Sequence, residues 1–157
     1  EGIWSDYIVE TLSRAGFHRY EVSNYALGNH ESYHNKVYWH YENYYGVGIG
    51  ATGKIDDELI SHSRSLTDYL QGKNTIYIEK ETIEDTMFNH LMMSLRLEEG
   101  LDLDEFKRRY HHAIEEVYKE GLSKNLDNHN LVIENNHLKT NHTLDLLNSI
   151  LLDFLPE

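Results

Sequence analysis

The side chains best suited to chemistry in this sequence are its histidines. Eleven occur in a chain with no cysteine, and neutral imidazole is a ready metal ligand. Their spacing does not build a centre. His30 and His34 are four apart, the interval that puts two residues on one helical face. Asn24, Gly28 and Asn29, however, mark Asn24 to Tyr33 as loop. His111 and His112 are adjacent and would point in different directions from a helix. The histidines therefore read as surface residues rather than as a zinc or iron site. Without cysteine the chain can hold no disulfide, thiolate nucleophile, cysteine-type zinc site or thiolate-bound iron–sulfur cluster. No Ser-His-Asp set or carboxylate pair is legible from spacing, because the 27 acidic residues are spread throughout.

A second feature is Gly46-Val47-Gly48-Ile49-Gly50-Ala51-Thr52-Gly53, which follows an aromatic-dense run from Tyr38 to Tyr45. Its spacing is not that of a dinucleotide-binding fingerprint, and it lacks the lysine of a phosphate-binding loop. Repeated glycines on a strand-like run mark close approach by backbone or by a ligand. Both readings stay open from spacing alone.

The elements that must position these residues follow from periodicity. Trp4, Ile8, Leu12 and Ala15 give a helix over 3–15, stopped by Gly16. Phe17 to Ser23 reads as a strand. Lys54-Ile55 and Leu59-Ile60, around Asp56-Asp57-Glu58, read as a hairpin. Ser65 or Thr67 caps a short helix that ends at Gly72, and Ile76 with Ile78 marks an extended segment. Thr82 with Asp85 opens a strong helix whose face carries Met87, Phe88, Leu91, Met92 and Leu95, with Gly100 after it. Asp102 with Glu105 repeats that start, and Phe106, Tyr110, Ile114 and Val117 continue the stripe past a break near His111-His112. Leu131 to Thr140 reads as a hairpin turning on Asn135-Asn136, residues that tolerate positive φ. Leu147, Ile150, Leu151 and Phe154 form a last helix before Pro156. Helices, a hairpin and one more helix suit a winged-helix module from about residue 79.

Composition narrows the function. With 157 residues and a formal net charge of -13, the chain lacks the clustered cations that neutralise phosphates, so nucleic acid is excluded as a generic partner. The hairpin region offers Lys124 and Lys139 against Asp127 and Glu134, which argues against a DNA-reading wing. No apolar run approaches the ~20 residues of a membrane span, and no secretory leader opens the chain. A cytoplasmic protein is expected. Glu1-Gly2-Ile3-Trp4 begins without methionine, which suggests a piece of a longer protein.

Several motifs in order carry a family resemblance. Gly16-Phe17-His18-Arg19-Tyr20-Glu21-Val22-Ser23-Asn24-Tyr25-Ala26 is followed by His34-Asn35-Lys36-Val37-Tyr38-Trp39, an HNxxYW motif, and then by Tyr45-Gly46-Val47-Gly48-Ile49-Gly50-Ala51. Leu91-Met92-Met93-Ser94-Leu95-Arg96-Leu97-Glu98-Glu99-Gly100-Leu101 is similar to an "LMLGLRLxEGL" signature, and Leu138-Lys139-Thr140, Asn148-Ser149-Ile150 and Asp153-Phe154-Leu155 match the family's tail. Together these resemble the HemW branch of the oxygen-independent coproporphyrinogen III oxidase-like radical SAM proteins.

The resemblance implies an α+β fold. Residues 1–78 would be the end of a radical SAM partial barrel with the segment after it, and residues 79–157 a mostly helical HemN-type C-terminal domain, winged-helix-like. It also implies a parent holding a four-iron four-sulfur cluster and S-adenosylmethionine, with the CxxxCxxC cluster motif outside this chain. A chain without cluster ligands is expected to be inactive by itself. HNxxYW is typical of the heme chaperones, not of the true oxidases, so heme binding and transfer to acceptor proteins is the expected function. Propionate decarboxylation by an oxidase is the alternative. His34 would be the heme-iron ligand with Asn35, Tyr38 and Trp39 around it, since imidazole ligates heme iron and aromatic rings offer flat apolar faces. Gly48, Gly50, Ala51 and Thr52 correspond to a region bordering S-adenosylmethionine in the related oxidases. Partners would be heme or porphyrin and heme-acceptor proteins, with room for peripheral association with membrane-bound acceptors. The family pattern carries Pro-Gly where Leu27-Gly28 stand, Arg where Tyr33 stands, and His or Ser where Thr52 stands. Tyr33 thus removes a cation that could have met a propionate.

Overall fold

In the computed structural model, residues 2–141 and 146–155 are described; Pro156, the expected helix stop, lies outside them. Helix α1 spans Gly2–Arg14, and Gly16 follows it at φ 85°, a left-handed exit that glycine adopts without steric cost. Strand β1, Phe17–Arg19, pairs antiparallel with β2, Tyr25–Leu27. The expected strand to Ser23 is therefore cut short, and part of the expected loop is its partner. Helix α2, Tyr33–Trp39, was not expected. Its start is set by Ser32, whose hydroxyl accepts from the Asn35 amide at 3.3 Å.

From Gly46 to Ala51 the glycine run is a loop rather than a strand, while Thr52 and Gly53 begin the strand that follows, and the physical reason is conformational. Gly48 and Gly50 sit at φ 100° and 68°, outside the β region. The flanking glycines meet backbone to backbone. A Cβ on Gly46 would lie 2.5 Å from the Thr52 carbonyl carbon, and one on Gly53 2.7 Å from the Gly46 nitrogen. Close backbone approach is thus the observed use of Gly46 and Gly53.

Strands β3 (Thr52–Ile55), β4 (Glu58–His62) and β5 (Ile76–Lys80) form an antiparallel sheet in that order. The expected hairpin turns at Asp56, at φ 53°. Between β4 and β5 lies α3, Leu66–Leu70, capped by Ser65. Helix α4, Ile83–Ser94, opens on the reciprocal Thr82–Asp85 capping box. It is followed by β6 (Leu101–Asp102) and by α5 (Leu103–Tyr110), which the Asp102 carboxylate caps through the amides of Asp104 and Glu105. The break near the paired histidines is real: His111 takes φ 61°. Two further helices follow, α6 (Ile114–Val117) and α7 (Lys119–Asp127). Strands β7 (Leu131–Glu134) and β8 (His137–Thr140) close on Asn135 and Asn136, both at positive φ. They add to β6 in the order β6-β8-β7. Helix α8, Leu147–Leu151, runs into a 3-10 turn at Leu152–Phe154.

The continuous hydrophobic core lies in the second half. Leu91, Leu95, Leu101, Phe106 and Leu138 are fully enclosed, and Tyr110, Ile114, Leu122, Leu131, Ile150 and Phe154 complete it. The expected face of α4 divides, with Met87, Leu91 and Leu95 buried and Phe88 and Met92 packed at its margin. The first half leaves large apolar groups at the surface, among them Trp4, Tyr7 and all of β5. It is joined to the second half mainly by polar links.

Candidate functional site

The HNxxYW residues all lie on α2, and the helical repeat sorts them. Residues four apart share a face, while neighbours are turned by ~100°. His34 and Tyr38 face outward: His34 is exposed, its Nε2 lies 3.1 Å from the Tyr38 hydroxyl, and the rings meet edge-on at 4.8 Å. Tyr44, arriving from the loop before β3, stacks edge-on against Tyr38 at 4.4 Å. Asn35 and Trp39 face inward. Asn35 Nδ2 donates to the Tyr20 hydroxyl at 3.3 Å. The Trp39 indole lies 5.6 Å below the Arg96 guanidinium, and its enclosed Nε1 has no partner. The Trp39 carbonyl accepts from Ser94 Oγ at 3.2 Å.

His34 presents an exposed imidazole held by the Tyr38 hydroxyl, and the Tyr38 ring packs in turn against Tyr44. Tyr38 shares that face. Trp39 does not, and Asn35 holds the helix rather than the open side. Tyr44, absent from the expected set, is the aromatic neighbour of Tyr38. Its only sequence signal was the aromatic density before the glycine run.

The glycine loop follows Tyr44 and makes backbone bonds within itself and to the end of β4 and the residue after it. Gly50 N–H donates to the Ser63 carbonyl at 3.0 Å, Ala51 N–H to Gly48 at 3.3 Å, and the Ala51 carbonyl accepts from His62 at 2.9 Å. The Thr52 hydroxyl lies 3.3 Å from that of Ser61. A four-iron four-sulfur cluster does not fit this chain at all, because thiolate ligands are missing. Among the described residues no group of three or more His, Asp and Glu is placed to hold a metal ion.

Below α2 runs a chain of charges. His18 meets Glu31 at 3.0 Å, Glu31 meets Lys36 at 2.9 Å, and Glu99 takes both Lys36 at 3.2 Å and His40 at 3.0 Å. The His40 bond and then the Lys36 bond hold the Glu99 carboxyl down to about 2. Its folded value lies below its ordinary one, so this contribution to stability is full above the usual carboxylate range and disappears as pH falls toward 2. Burial works to lower the Lys36 value, but its bonds to Glu31 and Glu99 outweigh that and raise it. Lys36, His40 and Glu99 wall a polar cleft of about 370 Å³ that also touches His90, Arg109 and His137.

A buried hub joins the two halves next to it. Tyr41, at φ 55°, donates to Glu81 Oε2 at 2.5 Å, and Glu81 Oε1 accepts from Asn89 at 2.6 Å. The enclosed Lys54 ammonium lies 4.1 Å over the Tyr41 ring and donates to the Asp56 carbonyl. Burial, reinforced by Arg109, lowers the Lys54 value. Burial with the Glu81 carboxylate raises that of Tyr41. Burial also drives His90, stacked 6.1 Å from Tyr41 and 6.0 Å from Phe106, down to about 3, so it is a neutral core residue. Tyr41→Phe would leave a buried carboxylate oxygen without its donor. We expect it to cost about 1–3 kcal/mol, read as a lower urea midpoint at unchanged slope; an unaltered midpoint would remove the hub from the joint.

The chain has relatives of known family and a solved structural neighbour. Residues 82–142 match the HemN C-terminal domain family. The heme chaperone HemW of Lactococcus lactis is 31% identical over 126 residues, covering 76% of this chain and 32% of that protein. HemW of Escherichia coli is 30% identical over 157 residues, covering 94% and 40%. HemW of Synechocystis is 36% identical over 99 residues, covering 59% and 24%. The solved structure of Escherichia coli coproporphyrinogen III oxidase (HemN), a radical SAM enzyme, superposes with a TM-score of 0.69 at 14% identity, over 95% of this chain and 39% of that one. That likeness is one of fold. Residues 82–142 are thus a HemN C-terminal domain, the chain is similar to HemW heme chaperones as the motifs implied, and its mixed helices and sheets are those of the expected class. It spans 32% of the Lactococcus relative and 40% of the Escherichia coli one.

Proposed function

We propose that this chain is the C-terminal part of a HemW-like heme chaperone, which binds heme and hands it to acceptor proteins. The observation that carries the reading is His34, exposed on α2 against Tyr38, whose ring packs on Tyr44, in a chain whose relatives are named heme chaperones. Heme would supply an iron with an open axial position. His34 would offer the imidazole nitrogen, and the Tyr38 hydroxyl now against Nε2 would turn aside to free it. Tyr38 and Tyr44 would cover part of a porphyrin face. In the parent, the cluster and S-adenosylmethionine would be held by other parts of the protein, with Gly48 to Thr52 bordering the latter at most through the loop's outer face. Residues 1–78 are read as the end of the barrel and the segment after it, and residues 79–157 as a winged-helix-like domain. The order α4-β6-α5-α6-α7-β7-β8 with sheet order β6-β8-β7 supports that. Among the described residues no helix is long and apolar enough to cross a membrane, in keeping with a cytoplasmic protein that meets membrane-bound acceptors only at the surface. An oxidase has the same fold in its favour, but not the HNxxYW motif.

The test is a heme titration of the full-length parent as wild type, His34→Ala and His129→Ala. Loss of an axial nitrogen alters the Soret band, so His34→Ala should shift or abolish it and weaken binding by about tenfold or more, roughly one lost charge-free ligand bond of 1.4 kcal/mol or above. His129, in a turn at φ 57°, should be silent. An unchanged spectrum and affinity in His34→Ala would remove this histidine from the site.

A further inference from the structure

We propose that Glu99 is a positioning residue for the helix that carries His34: its carboxylate grips Lys36 and His40, one turn apart, and so sets the rotation of α2 on the C-terminal unit. The inference rests on reading His34 as the heme-facing residue, but its geometry is independent of heme.

Helix α2 has seven residues and buries none of them fully. A helix that short has no stability of its own in water, so its orientation must be imposed by neighbours. The three pairs on α2 lie on three flanks about 100° apart. His34 and Tyr38 are open. Asn35 and Trp39 lean on Tyr20, Ser94 and Arg96. The third flank, Lys36 and His40, meets the C-terminal unit through a single carboxylate, at 3.2 and 3.0 Å. Two held flanks define a rotation; one held flank leaves a helix free to roll, and rolling moves His34.

Glu99 is well placed to act as a fixed point. It sits in a tight turn in which Leu97 N–H bonds the Ser94 carbonyl at 3.0 Å and Gly100 N–H bonds that of Leu97 at 3.1 Å. Leu97 on one side is buried, and Gly100 on the other is pressed against the Leu138 carbonyl. The preceding residue straps the adjoining hairpin in the same way. Glu98 N–H donates to the Tyr20 carbonyl at 3.1 Å, and its carboxylate takes Arg19 at 2.9 Å. One rigid turn of the C-terminal unit thus holds both β1 and α2. Lys36 has a second carboxylate in Glu31, on its own side of the joint. His40 has none besides Glu99 among the described residues.

The experiment is amide hydrogen exchange on the full chain, as wild type, Glu99→Gln and His40→Leu, with heme titration of the full-length parent carrying the same changes. Glu99→Gln should raise exchange in the last turn of α2, whose His40 N–H bonds Lys36, by about five- to tenfold, the scale of a partly exposed charge network. Amides of α4 should keep their protection. His40→Leu, which cuts the same contact from the helix side, should do likewise, and it decides the matter if Glu99→Gln also loosens α4. In the parent, both changes should shift heme affinity or the Soret maximum without abolishing binding. Unchanged α2 exchange in both variants overturns the proposal. A parent that binds no heme even as wild type sinks the chaperone reading instead, while the exchange result still decides what Glu99 holds.

Discussion

Phe106→Ala is expected to cost about 3–5 kcal/mol, the range for deleting a fully enclosed aromatic ring. Phe106 has no exposed surface, lies 4.8 Å from Tyr110 and 6.0 Å from His90 on α4, and belongs to the continuous core of the second half. The neighbours that line the hole come from different elements, so no single side chain can move to fill it. Domains of this size have about 5–15 kcal/mol in total, and the loss should show as a large fall in the urea midpoint. A change under about 1 kcal/mol would mean that the core is loosely packed.

Gly100→Ala should be of similar size for a different reason. The residue sits at φ 77°, and an added Cβ would meet the Leu138 carbonyl oxygen at 2.3 Å and Lys139 Cβ at 2.6 Å. Left-handed backbone alone costs an L-residue about 1–2 kcal/mol. Separating β6 from β8, which pair at Leu101 and Leu138, adds overpacking of about 1–3 kcal/mol. Gly28, at φ 59° with nothing within 4 Å, isolates the first cost, so Gly28→Ala should lose about 1–2 kcal/mol only. Equal thermal midpoints for the two variants would show that the contact with β8 relaxes freely.

What the sequence disclosed was local. Thr82 with Asp85, Asp102 with Glu105, and Asn135-Asn136 each determine a boundary through groups within a few residues, and each stands where it was expected. Helix α2 escaped because its start depends on one serine among aromatic and histidine residues with weak helical preference. The segment 46–51 misled because a loop that folds on itself and a strand that admits a close neighbour call for the same glycines. Within the candidate site, motif matching grouped His34, Asn35, Tyr38 and Trp39 as one surface. Only the helical repeat, once α2 is known, turns Trp39 inward, and only the fold brings Tyr44 against Tyr38. Glu99, Lys54 and Tyr41 were out of reach altogether, since their partners lie 59, 13 and 40 positions away and charges are too common in this chain to pair by eye.

The polar joint between the two halves has a consequence for how the molecule answers its solvent. Its second half is held by buried hydrocarbon, which added salt does not weaken. Beside the buried Tyr41–Glu81 hub, its joint includes Arg19, Lys36 and His40 meeting Glu98 and Glu99 at a partly exposed seam, where ionic strength acts directly. The screening length falls from about 10 Å at 0.1 M to about 3 Å at 1 M. Brine should therefore loosen the seating of α2 while leaving the C-terminal core intact, making the link between the halves a property of the medium as much as of the sequence.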